Sequence, residues 1–259
     1  MDIQALLQPP DLLSARKALA VAPHPDDVEV GMGGTVALLA ERGVRIEYLT
    51  LTDGAAGATD PARAGEQLRA VRRAELEASG RLLGVEAFHY LDLPDAGLKQ
   101  VADLAERIVT VIRRVRPDVL FSLDPWLPYE AHPDHRAAGF ATTDAFLLAA
   151  FAHVQKADAD AGLFPYATPM MAYYGTHRAN TKVAIDRQLD RKMAAILLHE
   201  SQFSGAQADF MKAFTRAQAS LCKETNTRVT LPQEPEHAAE LLKVLSAMQM
   251  HYNTQAEWM

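Results

Sequence analysis

The stretch KALAVAPHPDD, Lys17 to Asp27, decides how the chain is read. Lys17 to Pro23 is a short apolar run that stops at proline, the pattern of a buried strand. Working outward, Gly33 to Arg42 carries apolar residues at helical spacing and ends before Gly43, a residue suited to the left-handed position after a helix. Val44 to Thr52 (VRIEYLTLT) is β-branched and aromatic, so a second strand follows and the first unit is βαβ. Pro61 to Leu83, closed by Gly84, reads as a long helix and Glu86 to Leu93 as a third strand. Leu98 to Val115 places Val101, Leu104, Ile108 and Ile112 on one face before Pro117, and Asp118 to Asp124 (DVLFSLD) is a fourth strand.

Strands separated by helices of this length predict an α/β fold: a Rossmann-like, mostly parallel sheet with helices on both faces, because right-handed crossovers are nearly obligatory. The core is expected over residues 17–152. Further strands are expected at Met170 to Gly175 and Lys182 to Asp186, and helices from about Leu189 and Glu236. No Pro-, Gly- or Ser-rich linker divides the chain, so residues 1–259 read as a single domain with 153–259 as its C-terminal extension. Lys156 to Pro169 reads as a long loop placed to cover a site.

Composition narrows the chemistry. Nine histidines stand against one cysteine, Cys222, which excludes an intramolecular disulfide framework and the Cys-rich zinc modules. Any metal must be held by imidazoles and carboxylates. A net charge of −7 argues against a nucleic-acid surface, which needs clustered Lys and Arg. The longest apolar run, Ala145 to Ala152, is far too short to span a bilayer. The start, Met1-Asp2-Ile3-Gln4, lacks the cationic and apolar regions of a signal peptide, and a cytoplasmic protein is expected.

In such folds ligands bind outside the carboxyl ends of the strands. The first strand runs into His24-Pro25-Asp26-Asp27, and the fourth is followed by His132-Pro133-Asp134-His135. Two imidazole and carboxylate clusters, far apart in sequence, therefore emerge on one sheet edge. One histidine and one carboxylate from the first, with one histidine from the second, would hold a catalytic zinc or non-haem iron with a coordination position open. Spacing does not choose between His132 and His135, nor between Asp26 and Asp27. Read singly, the prolines mark turns and the aspartates cap helices.

The PHPDD and HPDH motifs, with Thr52-Asp53-Gly54-x-x-Gly57, Arg72-x-x-Glu75, Pro94-Asp95-x-Gly97 and His199-Glu200-Ser201-Gln202 preceded by Lys192, resemble the LmbE-like or PIG-L superfamily of zinc-dependent N-deacetylases. The likeness runs from about Ala18 to Phe203. It implies a hydrolase that releases acetate from an N-acetyl amino sugar, a small-molecule substrate. It implies that His24, Asp27 and His135 bind Zn2+, with iron or another divalent metal compatible with the same ligands. It further implies Asp26 as general base, His132 as the group that stabilises the oxyanion or protonates the leaving amine, and Asp134 as the residue tuning His132. Arg72 and Asp95 match sugar-holding positions. Some relatives carry a catalytic tyrosine two residues before the first histidine of HPDH; here Glu130 stands there, with Tyr129 one step earlier. The chain after Phe203 has no such likeness and is a candidate contact for a homo-oligomer.

Two other classes use the same residues. A non-haem iron oxygenase shares the ligand types but ordinarily needs a β-barrel, and a non-catalytic metal- or sugar-binding module has no use for Asp26 beside Asp27. Gly31-Met32-Gly33-Gly34 is not the G-x-G-x-x-G of a dinucleotide fold. His89, His153, His237 and His251 read as structural, His177 as a residue near the expected lid, and His199 as packing support.

Overall fold

The computed structural model describes residues 8–58 and 64–252. The chain's first four residues and the expected helix start at Pro61 lie outside them. Eight strands form one sheet in the order β3-β2-β1-β4-β5-β8-β6-β7. Five are parallel neighbours: β1 (Lys17–Ala22), β2 (Arg45–Thr52), β3 (Ala87–Leu93), β4 (Val119–Leu123) and β5 (Met170–Tyr174). The far side is mixed, with β8 (Ala239–Ser246) antiparallel to both β5 and β6 (Thr181–Ala184), and β7 (Val229–Leu231) parallel to β6. The helices are α1 (Asp27–Glu41), α2 (Glu66–Leu83), α3 (Leu104–Val115), α4 (Pro133–Leu148), α5 (Ala157–Asp160), α6 (Leu189–Leu197), α7 (Ala206–Glu224) and α8 (Ala247–Tyr252).

The two-residue period of β1 divides the core. Ala18, Ala20 and Ala22 face the layer that contains Val36, Leu39 and Leu76, whereas Leu19 and Val21 face Ile108, Ile112 and Phe146. Both faces of the strand are therefore buried, as a helix-covered parallel sheet requires. The strand order reverses between β1 and β4, so the crevice at their carboxyl ends is the switch point where such sheets receive ligands. None of the described helices is long and apolar enough to cross a membrane.

Three expectations change. The helix expected from Glu236 is instead the turn into β8, where Ala239 pairs with Ala184 and Ser246 with Met170. Backbone N–H groups of Glu236, His237 and Ala238 all donate to the Asp186 carboxylate and bend the chain into the sheet. Pairing on both sides then overrides the helix preference of Ala, Glu, Leu and Lys. The segment Lys156 to Pro169 does not cover the switch point. Asp158 pairs with Arg113 at 3.0 Å and Tyr166 Oη donates to Pro117 O, both at the opposite end of the sheet. Finally, α1 starts at Asp27 rather than Gly33 and is broken at Met32 (φ −149°, ψ 26°). Gly34 lies so close to Ile185 that a Cβ there would come within 2.7 Å of its side chain.

Candidate active site

The candidate residues other than Arg72 stand beyond the carboxyl ends of β1, β3 and β4. Asp26, between β1 and α1, has φ 131° and ψ −23°, a conformation strained for any residue with a side chain. His132 caps α4, Pro133 fills the first helical position, and Asp134 and His135 lie in the first turn. Proline and acidic residues favour that end of a helix, so local propensity fixes the HPDH motif. Asp95 follows β3, and Arg72 reaches in from α2.

The clusters meet around Asp27. Its Oδ2 lies 3.2 Å from His24 Nδ1 and its Oδ1 lies 3.4 Å from His135 Nε2. His24, His132 and His135 each offer a nitrogen within 4.8 Å of the others, and the rings of His132 and His135 stack with centroids 4.6 Å apart. Behind His24, Nε2 faces Asp95 Oδ1 at 3.3 Å and Asp134 Oδ2 at 3.5 Å. Those two carboxylates are anchored on backbone amides, Asp95 by Ala56 and Asp134 by Leu98. His132 differs because its Nδ1 accepts the Asp134 N–H at 3.2 Å, which leaves its ring proton on Nε2. Among the described residues two groups could hold a metal, His24 with His132 and His135, and His24 with Asp95 and Asp134, and Asp27 stands between His24 and His135.

Electrostatics agree with a cation-holding cluster. Burial opposes a charge on His24, yet Asp134, Asp27 and Asp95 outweigh it and the imidazole is pushed up to about 12. Burial likewise opposes ionisation of Asp27, but His135 and His24 hold its carboxyl well below the usual range. Asp26 moves the other way. Burial pushes it up to about 7, with the Arg72 guanidinium opposing and the Asp27 charge assisting. His132 is lowered by burial and by its cationic neighbours His24 and His135. Two imidazoles and a carboxylate converge where His24, Asp27 and His135 meet, a donor set chemically fitted to a divalent cation.

These residues line a cavity of about 320 Å³ whose wall includes His24, Asp26, Asp27, Arg72, Asp95, His132 and His135. Arg72 is 3% exposed and braces the PHPDD turn, donating to Pro25 O at 2.8 Å, Asp26 Oδ2 at 3.1 Å and Gly54 O at 3.2 Å. The Asp134 carboxylate faces His24 and the Leu98 amide, its charge raises the proton affinity of His132, and its backbone N–H donates to His132 Nδ1. Tyr129 is fully exposed (101%) and Tyr174, not Tyr129, packs beneath the site. His177 lines a separate hollow of about 770 Å³ with Trp126 and Tyr173. His199 is wholly buried, 3.9 Å from Glu29, while Ser201 is tied to Glu75 through its N–H and hydroxyl. Gln202, from the His199-Glu200-Ser201-Gln202 motif, lines the cavity, and Glu130 Oε2 lies 3.2 Å from His135 Nδ1, a contact the sequence reading did not assign.

The chain is similar to known proteins of one family. The family described as PIG-L, GlcNAc-PI de-N-acetylase, matches residues 19–146. The chain is 42% identical over 188 residues to the diacetylchitobiose deacetylase of Thermococcus kodakarensis, covering 73% of this chain and 70% of that one. It is 32% identical over 208 residues to the 1D-myo-inositol 2-acetamido-2-deoxy-alpha-D-glucopyranoside deacetylase of Rhodococcus erythropolis, covering 71% and 66%. The solved N,N'-diacetylchitobiose deacetylase from Pyrococcus horikoshii superposes with a TM-score of 0.87 at 33% identity, over 100% of this chain and 92% of that one. The chain belongs to the PIG-L, or LmbE-like, family of de-N-acetylases.

Proposed function

We propose that the chain is a metal-dependent hydrolase that removes the acetyl group from an N-acetylated amino sugar, giving acetate and a free amine. The reading is carried by one juxtaposition: Asp26 and His132 share a cavity with the His24, Asp27 and His135 set. A pure binding site would need the metal set alone. Diacetylchitobiose and inositol-linked N-acetylglucosamine, the substrates named for the relatives, set the substrate class.

His24, Asp27 and His135 would hold the metal, proposed to be zinc because two imidazoles and a carboxylate suit it. Bound there, zinc supplies Lewis-acid polarisation of the amide carbonyl and acidifies water. Asp26 takes the proton of the attacking water and returns it to the leaving nitrogen, since an amine leaves only once protonated. Arg72 pairs with Asp26 Oδ2 and so fixes the direction in which the other oxygen accepts. His132, with its proton on Nε2, donates a hydrogen bond to the oxyanion as the carbonyl carbon becomes tetrahedral. Of the two roles expected of His132, its lowered proton affinity supports the neutral donor.

The test is acetate release by the zinc-loaded protein from N-acetylglucosamine, diacetylchitobiose, and malate- and inositol-linked conjugates, with chelator as control. Release that stops with chelator and resumes with zinc supports the reading. No release from any of them contradicts it.

A further inference from the structure

The two histidines proposed as ligands are backed differently, the second by Glu130, just ahead of the HPDH motif. His24 has Asp95 and Asp134 on the nitrogen facing away from Asp27. His135 has Glu130 there, with Oε2 3.2 Å from Nδ1 but not aligned as a hydrogen bond, while its Nε2 faces Asp27 at 3.4 Å. The other oxygen of Glu130 accepts the backbone N–H of His132 at 2.8 Å. One carboxylate therefore touches both histidines of HPDH. Its own backbone is held in place, since Glu130 N–H donates to Leu127 O and Glu130 O accepts from Arg136.

We propose that Glu130 is a positioning residue that keeps the His135 proton on Nδ1, so that the Nε2 lone pair is presented to the metal beside Asp27. A neutral imidazole has one ring proton, and a carboxylate at Nδ1 decides which nitrogen carries it. The same contact raises the basicity of the nitrogen opposite. Glu130 also fixes the N-cap geometry of His132, which keeps that ring's Nδ1 on the Asp134 amide and out of the ligand set. This rests on the metal-dependent reading above. Glutamine in its place can accept from only one of the two N–H groups and presents an N–H to the other.

The test is the zinc affinity of Glu130→Gln and Glu130→Ala by competition with a chromogenic chelator, together with the ring 15N and 1H signals of His135 in the zinc-loaded wild type. Both variants are expected to bind zinc about 10–100-fold more weakly. At saturating zinc they recover most of kcat with KM little changed, and the wild type shows a proton on Nδ1 of His135. Affinity within twofold of wild type in the folded variants, or an Nε2 proton on His135 in the wild type, overturns the inference while leaving the metal reading intact. Weak kcat at saturating zinc with unchanged affinity overturns it too, because Glu130 would then act in the chemistry. A wild type that binds no zinc overturns the metal reading and the inference together.

Discussion

Two buried charged clusters flank helix α1, and they are built in opposite ways. At the break near Met32, Glu240 accepts from the Gly34 and Thr35 amides, from the Thr35 hydroxyl at 2.6 Å and from Lys192 Nζ at 2.6 Å. Both charged side chains are nearly inaccessible, and neither appears among the buried atoms left unpaired. At the N-terminus of α1, carboxylates of Asp27, Asp95 and Asp134 crowd His24, the Asp26 backbone is strained, and His24 Nε2 and Asp134 Oδ2 lack well-aligned partners. A cluster closed on itself holds the fold, because every desolvated group is repaid locally. A cluster with excess carboxylate and unpaired atoms is organised around something else, which is the physical meaning of a site.

That contrast can be broken most forcefully at Glu240. Glu240→Ala leaves the Lys192 ammonium buried without its partner and two amides unpaired, so about 3–5 kcal/mol of stability should be lost in urea unfolding. A loss below about 1 kcal/mol would mean that the closed cluster is not structural.

Zinc should distinguish the clusters next. At a hundred times its Kd it should stabilise the wild type by about 2.7 kcal/mol. Glu240→Gln should gain the same increment from its lower starting point, whereas His135→Ala should gain almost none. An equal gain in His135→Ala would detach that histidine from the ligand set.

A smaller effect concerns the buried layer behind the site. Burial holds His199 down at about 3, so it stays neutral in the fold. The unfolded chain takes up a proton below about pH 6.5 and the folded one does not, so stability is lost as pH falls from there, by at most about 1.4 kcal/mol per pH unit. His199→Gln should flatten that part of the profile. An unchanged slope would show that other groups carry the acid sensitivity.

The first four strands were legible because each is an apolar run ended by a turn residue, and the chemistry of a parallel sheet collects at those ends. The family motifs brought Arg72 and Asp95 into view, although no spacing shows that Arg72 is buried and reaches Asp26 from another element. β8 was not legible: AELLKVLS suits a helix, and only the partners on both its sides, β5 and β6, make it a strand. The place of 156–169 is not legible for a similar reason, since it follows from the Arg113–Asp158 pair, 45 residues apart in sequence. Glu130 stands in the sequence only as a departure from the family's tyrosine, and its contact with His135 appears once the loop folds it back.

The central claim is that Asp26 moves the proton while its neighbour Asp27 holds the metal. It is tested most directly by measuring zinc content and acetate release in Asp26→Asn. Asp26→Asn is expected to fold and retain zinc while kcat falls by about 10²–10⁴-fold. Acetate release at the wild-type rate, with zinc still bound, would contradict it.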